Sequence, residues 1–63
     1  MNNLSIVIME DEEVIRDVLK EILSRSGFNR DKIYTSKTGE EAIEIIKQNS
    51  NIDVLLTDIN IAD

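Results

Sequence analysis

The sequence predicts an α/β fold built on a parallel sheet, and three observations carry that prediction. Residues 4–9 and 52–57 contain runs that are mostly apolar and rich in branched side chains, as strands buried on both faces of a parallel sheet require. Two intervening segments repeat their apolar residues at helical spacing. Between those segments lies a more polar extended run at residues 31–35. The alternation is strand, helix, strand, helix, strand, with connections short enough for right-handed crossovers.

Each element has its own local reasons. The first strand occupies residues 4–9 and ends where Glu10 and Asp11 interrupt it. A helix follows from Val14, with Val14, Ile15, Val18, Leu19, Ile22 and Leu23 on one side and Arg16, Asp17, Lys20, Glu21 and Arg25 on the other. Gly27 supplies a left-handed stop, and Phe28 is placed to fold back onto the helix end. The run at residues 31–35 suits the edge of a sheet better than its middle. Residues 36–39 form a loop, and Thr38-Gly39-Glu40-Glu41 reads as a capping box for a second helix that buries part of Ala42, Ile43, Ile45 and Ile46. Asn49-Ser50-Asn51 ends that helix. The third strand, residues 52–57, holds Val54-Leu55-Leu56, and Asp58 follows at once.

A chain of 63 residues is one domain at most, and it hides only about 60% of the surface its unfolded form exposes. With neither Cys nor His, disulfides, zinc sites and the Ser-His-Asp and Cys-His nucleophilic systems are excluded. Carboxylate chemistry remains. Seven basic against 13 acidic residues leave a net charge of -6, which opposes attraction to nucleic acid or to an anionic membrane. Phe28 and Tyr34, the only aromatics, make no base-stacking platform. No basic segment precedes the first apolar run, and acids cut that run short of a membrane span, so the expected location is the cytoplasm.

In an open parallel sheet, ligands bind beyond the carboxyl ends of the strands where strand order reverses. Glu10 and Asp11 end the first strand and Asp58 ends the third, so their carboxylates converge if those strands are neighbours. Three carboxylates at one edge repel each other unless a hard cation lies between them, and oxygen-only ligation points to magnesium or manganese. Taken alone, the acids Glu10 to Glu13 read better as charges favoured at a helix N-terminus, and Asp58 better as a loop or N-cap residue. Their joint placement is what favours a site. Two glycines, Gly27 and Gly39, are too few for a dinucleotide fingerprint or a P-loop. The consecutive acids do not fit an EF-hand, and so small a chain cannot wall a glycosidase cleft.

The stretch Ile6-Val7-Ile8-Met9-Glu10-Asp11-Glu12 resembles the strand and acidic pair of bacterial two-component receiver domains, and Val54-Leu55-Leu56-Thr57-Asp58-Ile59-Asn60-Ile61 resembles their phospho-acceptor strand and loop. Gly27-Phe28 and Thr38-Gly39-Glu40-Glu41-Ala42 fall at matching places, so the resemblance spans essentially the whole chain. It implies a flavodoxin-like parallel sheet of strand order 2-1-3, truncated to the first half of the domain over residues 1–63. It implies further that Asp58 takes a phosphoryl group from a histidine kinase or phosphotransfer protein, as an acceptor rather than an enzyme. In the resemblance Asp11 is a direct metal ligand, Glu10 a ligand through water, and the backbone carbonyl of Asn60 another contact to the Mg2+ or Mn2+.

Two residues depart from the family pattern. Glu10 stands where Asp is more frequent, and Ala62 where Pro is usual, so a shifted water shell and a less rigid loop are expected. The family's later strands, with their switch hydroxyl and phosphate-binding lysine, have no counterpart in this sequence. Slow phosphorylation of the chain by itself is therefore expected. The alternative reading is a half-domain that does no phosphotransfer and serves as a structural or self-association module. Under either reading the third strand is a sheet edge of Val54, Leu55 and Leu56 with no Pro or Lys in it, and self-association through it is expected, by antiparallel pairing into a six-stranded sheet or by exchange of a helix.

Overall fold

The structure, a computed structural model, describes residues 3–57. Three strands, β1 (Ile6–Met9), β2 (Ile33–Ser36) and β3 (Val54–Thr57), alternate with two helices, α1 (Glu13–Arg25) and α2 (Gly39–Gln48). The sheet is parallel with order β2-β1-β3. The truncated flavodoxin-like arrangement is the one expected. Ile6 lies opposite Ile33 on one side and Val54 on the other, and Met9 opposite Ser36 and Thr57, so all three strands end level.

β1 is central and buried along most of its length, whereas β3, whose apolar run suggested burial on both faces as well, leaves Leu55 and Leu56 exposed at the outside of the described sheet. Ile6, Val7 and Ile8 are at most 2% exposed, and each such burial contributes roughly 1.5–3 kcal/mol. Strand alternation sends Ile6 and Ile8 to one face, where with Ile33 they form a core that Leu19 and Leu23 of α1, Phe28 and Val54 pack against. Val7 and Met9 point to the other face, under α2, where Gly39 approaches the Met9 sulfur and Ala42 is buried. One helix thus covers each face.

The apolar arc of α1 is wider than its contact. Leu19 and Leu23 reach the core, while Val14, Ile15, Val18 and Ile22 remain 41–72% exposed. On α2, likewise, Ile43 is exposed although Ala42 is buried. Periodicity identified the helices correctly, but each is applied to the sheet along a narrow line.

Both helix ends carry the stops expected of them. The Phe28 amide donates to the Leu23 carbonyl at 3.1 Å and the Gly27 amide to the Ser24 carbonyl at 3.3 Å. This is a Schellman closure, with Gly27 at φ 106°. At the start of α2, Thr38 Oγ1 accepts from the Glu41 amide. The Glu41 carboxylate accepts in return from Lys37, one residue before the position a capping box would use.

The second strand begins later than expected. Residues 30–32 form a 3-10 turn, Arg30–Lys32, because the Asn29 side chain accepts from the Asp31 amide and the Asn29 carbonyl from Lys32. Pairing with β1 therefore starts at Ile33 and includes Ser36, which was expected in a loop. The turn is tied to α1 by Arg30, whose Nη1 donates to Glu21 Oε1 at 3.2 Å and to Ser24 Oγ at 3.0 Å. The third strand is also shorter than residues 52–57. The Asp53 carboxylate accepts from the Ser5 amide at 2.9 Å, and the Asp53 amide donates to the Ser5 carbonyl at 2.9 Å, so a side-chain bond joins the backbone bond just ahead of β3.

Gly27→Ala forces a side chain into left-handed backbone although no atom lies within 4 Å of its Cβ position. It should cost about 1–2 kcal/mol in urea unfolding with an unchanged m-value. Hydrogen bonds from Arg25 and then Arg30 hold the Glu21 carboxyl below its ordinary value. Because the folded value is the lower one, the contribution is present above the ordinary carboxylate range and is lost as pH falls through the folded value. Stability against pH should therefore separate wild type from Glu21→Gln at neutral pH and merge them in acid. The gap should be small and should shrink with salt, since the group is exposed.

Candidate functional site

The carboxyl ends of the strands present the predicted acids in two different settings. Glu10, the residue after β1, is only 6% exposed. Its amide donates to the Ser36 carbonyl at 3.0 Å, extending the β1–β2 ladder by one step. Its carbonyl accepts from Arg16 Nη1 at 2.8 Å, and its carboxylate Oε2 accepts from the Glu12 amide at 3.2 Å. Three bonds thus hold this residue at the sheet edge. Asp11, the next residue along, is exposed.

The acidic run divides at this corner. Glu12 is the N-cap of α1 without a side-chain cap bond, and Glu13 opens the helix, where negative charge meets the positive end of the helix dipole. The helix-terminus reading holds for Glu12 and Glu13. Glu10 and Asp11 lie before the helix, at the end of the central strand.

Glu10 lines a pocket of about 300 Å³ with Met9, Leu19, Leu56 and Thr57. Its walls bring together β1, α1 and the end of β3, which is the neighbourhood required for the first and third strands to share a site. Thr57 is the last described residue and lies opposite Met9 in register. Asp58 and Asn60, the expected acceptor and backbone ligand, lie outside the described residues. Among the described residues no three Asp, Glu, His or Cys side chains gather closely enough to hold a metal. Two of the expected groups, Glu10 and Asp11, are thus located at the expected edge.

Sequence reasoning missed Arg16 and Ser36. Arg16 sits on the polar side of an amphipathic helix, and nothing in its spacing announces that it reaches back to a carbonyl six residues earlier. Ser36 places its carbonyl against Glu10 and donates its hydroxyl to the Ile8 carbonyl at 3.2 Å. Strand register alone would have located it, and the register was offset by the turn before β2.

A three-stranded parallel α/β unit with an acidic carboxyl edge is the class of protein defined so far. The family model of the response regulator receiver domain matches residues 6–63, and the chain belongs to that family. Its relatives include the transcriptional regulatory protein YvrH of Bacillus subtilis (strain 168), 36% identical over 59 residues. Another is the transcriptional regulatory protein HptR of Staphylococcus aureus (strain NCTC 8325 / PS 47), 39% identical over 54 residues. These alignments cover 94% and 86% of this chain but only 24% and 21% of the relatives. No solved structure gives a significant match. No helix among the described residues is long and apolar enough to cross a membrane.

Proposed function

We infer that this chain is the phospho-accepting portion of a two-component response regulator, with Asp58 as the acceptor. The observation that carries the reading is the position of Glu10 and Asp11 at the end of the central strand, beside the strand that leads into Asp58. Membership of the receiver family supports it. The donor would be the phosphohistidine of a histidine kinase or of a phosphotransfer protein. The Asp58 carboxylate forms a bond to phosphorus while the phosphorus–nitrogen bond breaks, and the imidazole leaves with that electron pair.

Two negative species must meet in that step, and the local residues bear on how. The donors available are carboxylate and carbonyl oxygens, a set that suits a hard cation. Glu10, Asp11 and Asp58, with the backbone carbonyl of Asn60, would hold Mg2+ or Mn2+. Such an ion supplies charge neutralisation and alignment between acceptor and phosphoryl oxygens. Arg16 and the Glu12 amide fix Glu10 in one position, so that carboxylate is oriented before any ligand arrives. Asp11 is exposed and so open to solvent-borne ligands. Leu19 and Leu56 wall the pocket with apolar surface, where electrostatic attractions are screened less than in bulk water.

Calorimetric titration with magnesium should give weak binding to the folded wild type and none to Asp11→Asn. Equal affinity for the two would remove Asp11 from the site. With a small-molecule phosphodonor and magnesium, a base-labile acyl-phosphate label should form and be absent in Asp58→Asn. Undiminished label in that variant would place the acceptor elsewhere.

A further inference from the structure

The corner between β1 and α1 is held by a cation that bonds to a backbone oxygen rather than to the acids around it. Arg16 is flanked in sequence by Glu12, Glu13 and Asp17, yet among the described residues the ion pairs are those of Arg25 and Arg30 with Glu21. The half-buried Arg16 instead donates from Nη1 to the Glu10 carbonyl at 2.8 Å. Its own backbone is anchored too, because its amide donates to the Glu12 carbonyl at 3.0 Å in the first turn of α1.

What this bond governs is the next residue. The Glu10 carbonyl and the Asp11 amide belong to one planar peptide unit, which also contains the Asp11 Cα. Arg16 holds the carbonyl of that unit, and the Ser36 carbonyl holds the Glu10 amide in the unit before it at 3.0 Å. Asp11 is exposed, so packing does little to place it. The clamped peptide sets its Cα and leaves the side chain to turn. We propose that Arg16 is a positioning residue for Asp11, orienting through the Glu10 carbonyl the carboxylate that would meet Mg2+ or Mn2+.

The inference rests on the reading of Asp11 as a metal ligand, and it has a consequence that charge alone would reverse. A guanidinium beside the acidic edge repels a divalent cation, so by Coulomb's law its removal tightens metal binding. That repulsion is screened at an edge open to water and salt. Losing the group that orients a ligand costs about 10–100-fold in affinity. Orientation therefore outweighs repulsion, and loss of the arginine weakens binding despite making the edge more negative.

Calorimetric titration with magnesium should find Arg16→Met, which keeps the aliphatic stem and loses the donors, about tenfold or more weaker than wild type. Arg16→Lys retains a donor and should recover most of that loss. Gly27→Ala, beyond the far end of α1, lowers stability without touching this corner and should leave the affinity of the folded protein unchanged. A metal-free reading comes from NMR. The nitrogen resonance of the Asp11 amide, in the same peptide as the held carbonyl, should move in Arg16→Met while those of Ile33 and Tyr34 stay in place. Should Arg16→Met fail to fold, Arg16→Gln also removes the charge and takes its place in both measurements. Unchanged or tighter magnesium binding in these variants, an unmoved Asp11 resonance, or an equal loss in Gly27→Ala would each overturn the proposal and leave the metal site standing. Equal affinity in wild type and Asp11→Asn would instead remove the metal site, and the role of Arg16 with it.

Discussion

Hydrogen bonding on both sides of a single strand is the constraint on which the rest of this structure depends. β1 pairs with β2 and β3 along its whole length, and this satisfies backbone groups that burial would otherwise leave stranded. Only then can Ile6, Val7 and Ile8 be almost wholly enclosed. The same constraint positions the acidic edge. Strands that begin level and have equal length end level, so Glu10 leaves the sheet beside Ser36 and Thr57 rather than above or below them.

The corner after β1 turns that position into a defined geometry. One residue, Glu10, closes the ladder through its amide, receives Arg16 at its carbonyl and the Glu12 amide at its carboxylate. The next, Asp11, is left to solvent. A buried, oriented carboxylate followed at once by an exposed one differs chemically from a pair of equivalent acids. It separates a group that is held from a group that can move toward a ligand.

Much of this was legible beforehand, for physical reasons that differ by element. A strand with two buried faces must be apolar at every position, so β1 announces itself. Gly27 and Thr38 were readable because a positive φ and an N-cap each demand few residue types. The start of β2 was not, since the Asn29 side chain organises a turn through local polar bonds that leave no periodic trace. The breadth of the apolar arc on α1 foretold a helix but not that Leu19 and Leu23 alone would reach the core cluster. The position of Glu10 and Asp11 at the sheet edge was readable from where the strand ends. Arg16 was not, because a long cation on a polar helix face has many possible destinations. Asp58 and Asn60 lie outside the described residues.

The reciprocal bonds between Ser5 and Asp53 bear on the order of assembly. The Ser5 amide reaches the Asp53 carboxylate, and the Asp53 amide returns to the Ser5 carbonyl, across 48 positions of chain. A polypeptide emerging from the ribosome N-terminus first can pair β1 with β2 while later residues are still being added. β3 has no such head start. Asp53 lies 48 positions after Ser5, and β1 has one side unpaired by the chain until it arrives. During synthesis the central strand is temporarily an edge strand, and the Ser5–Asp53 clasp marks the moment at which it ceases to be one.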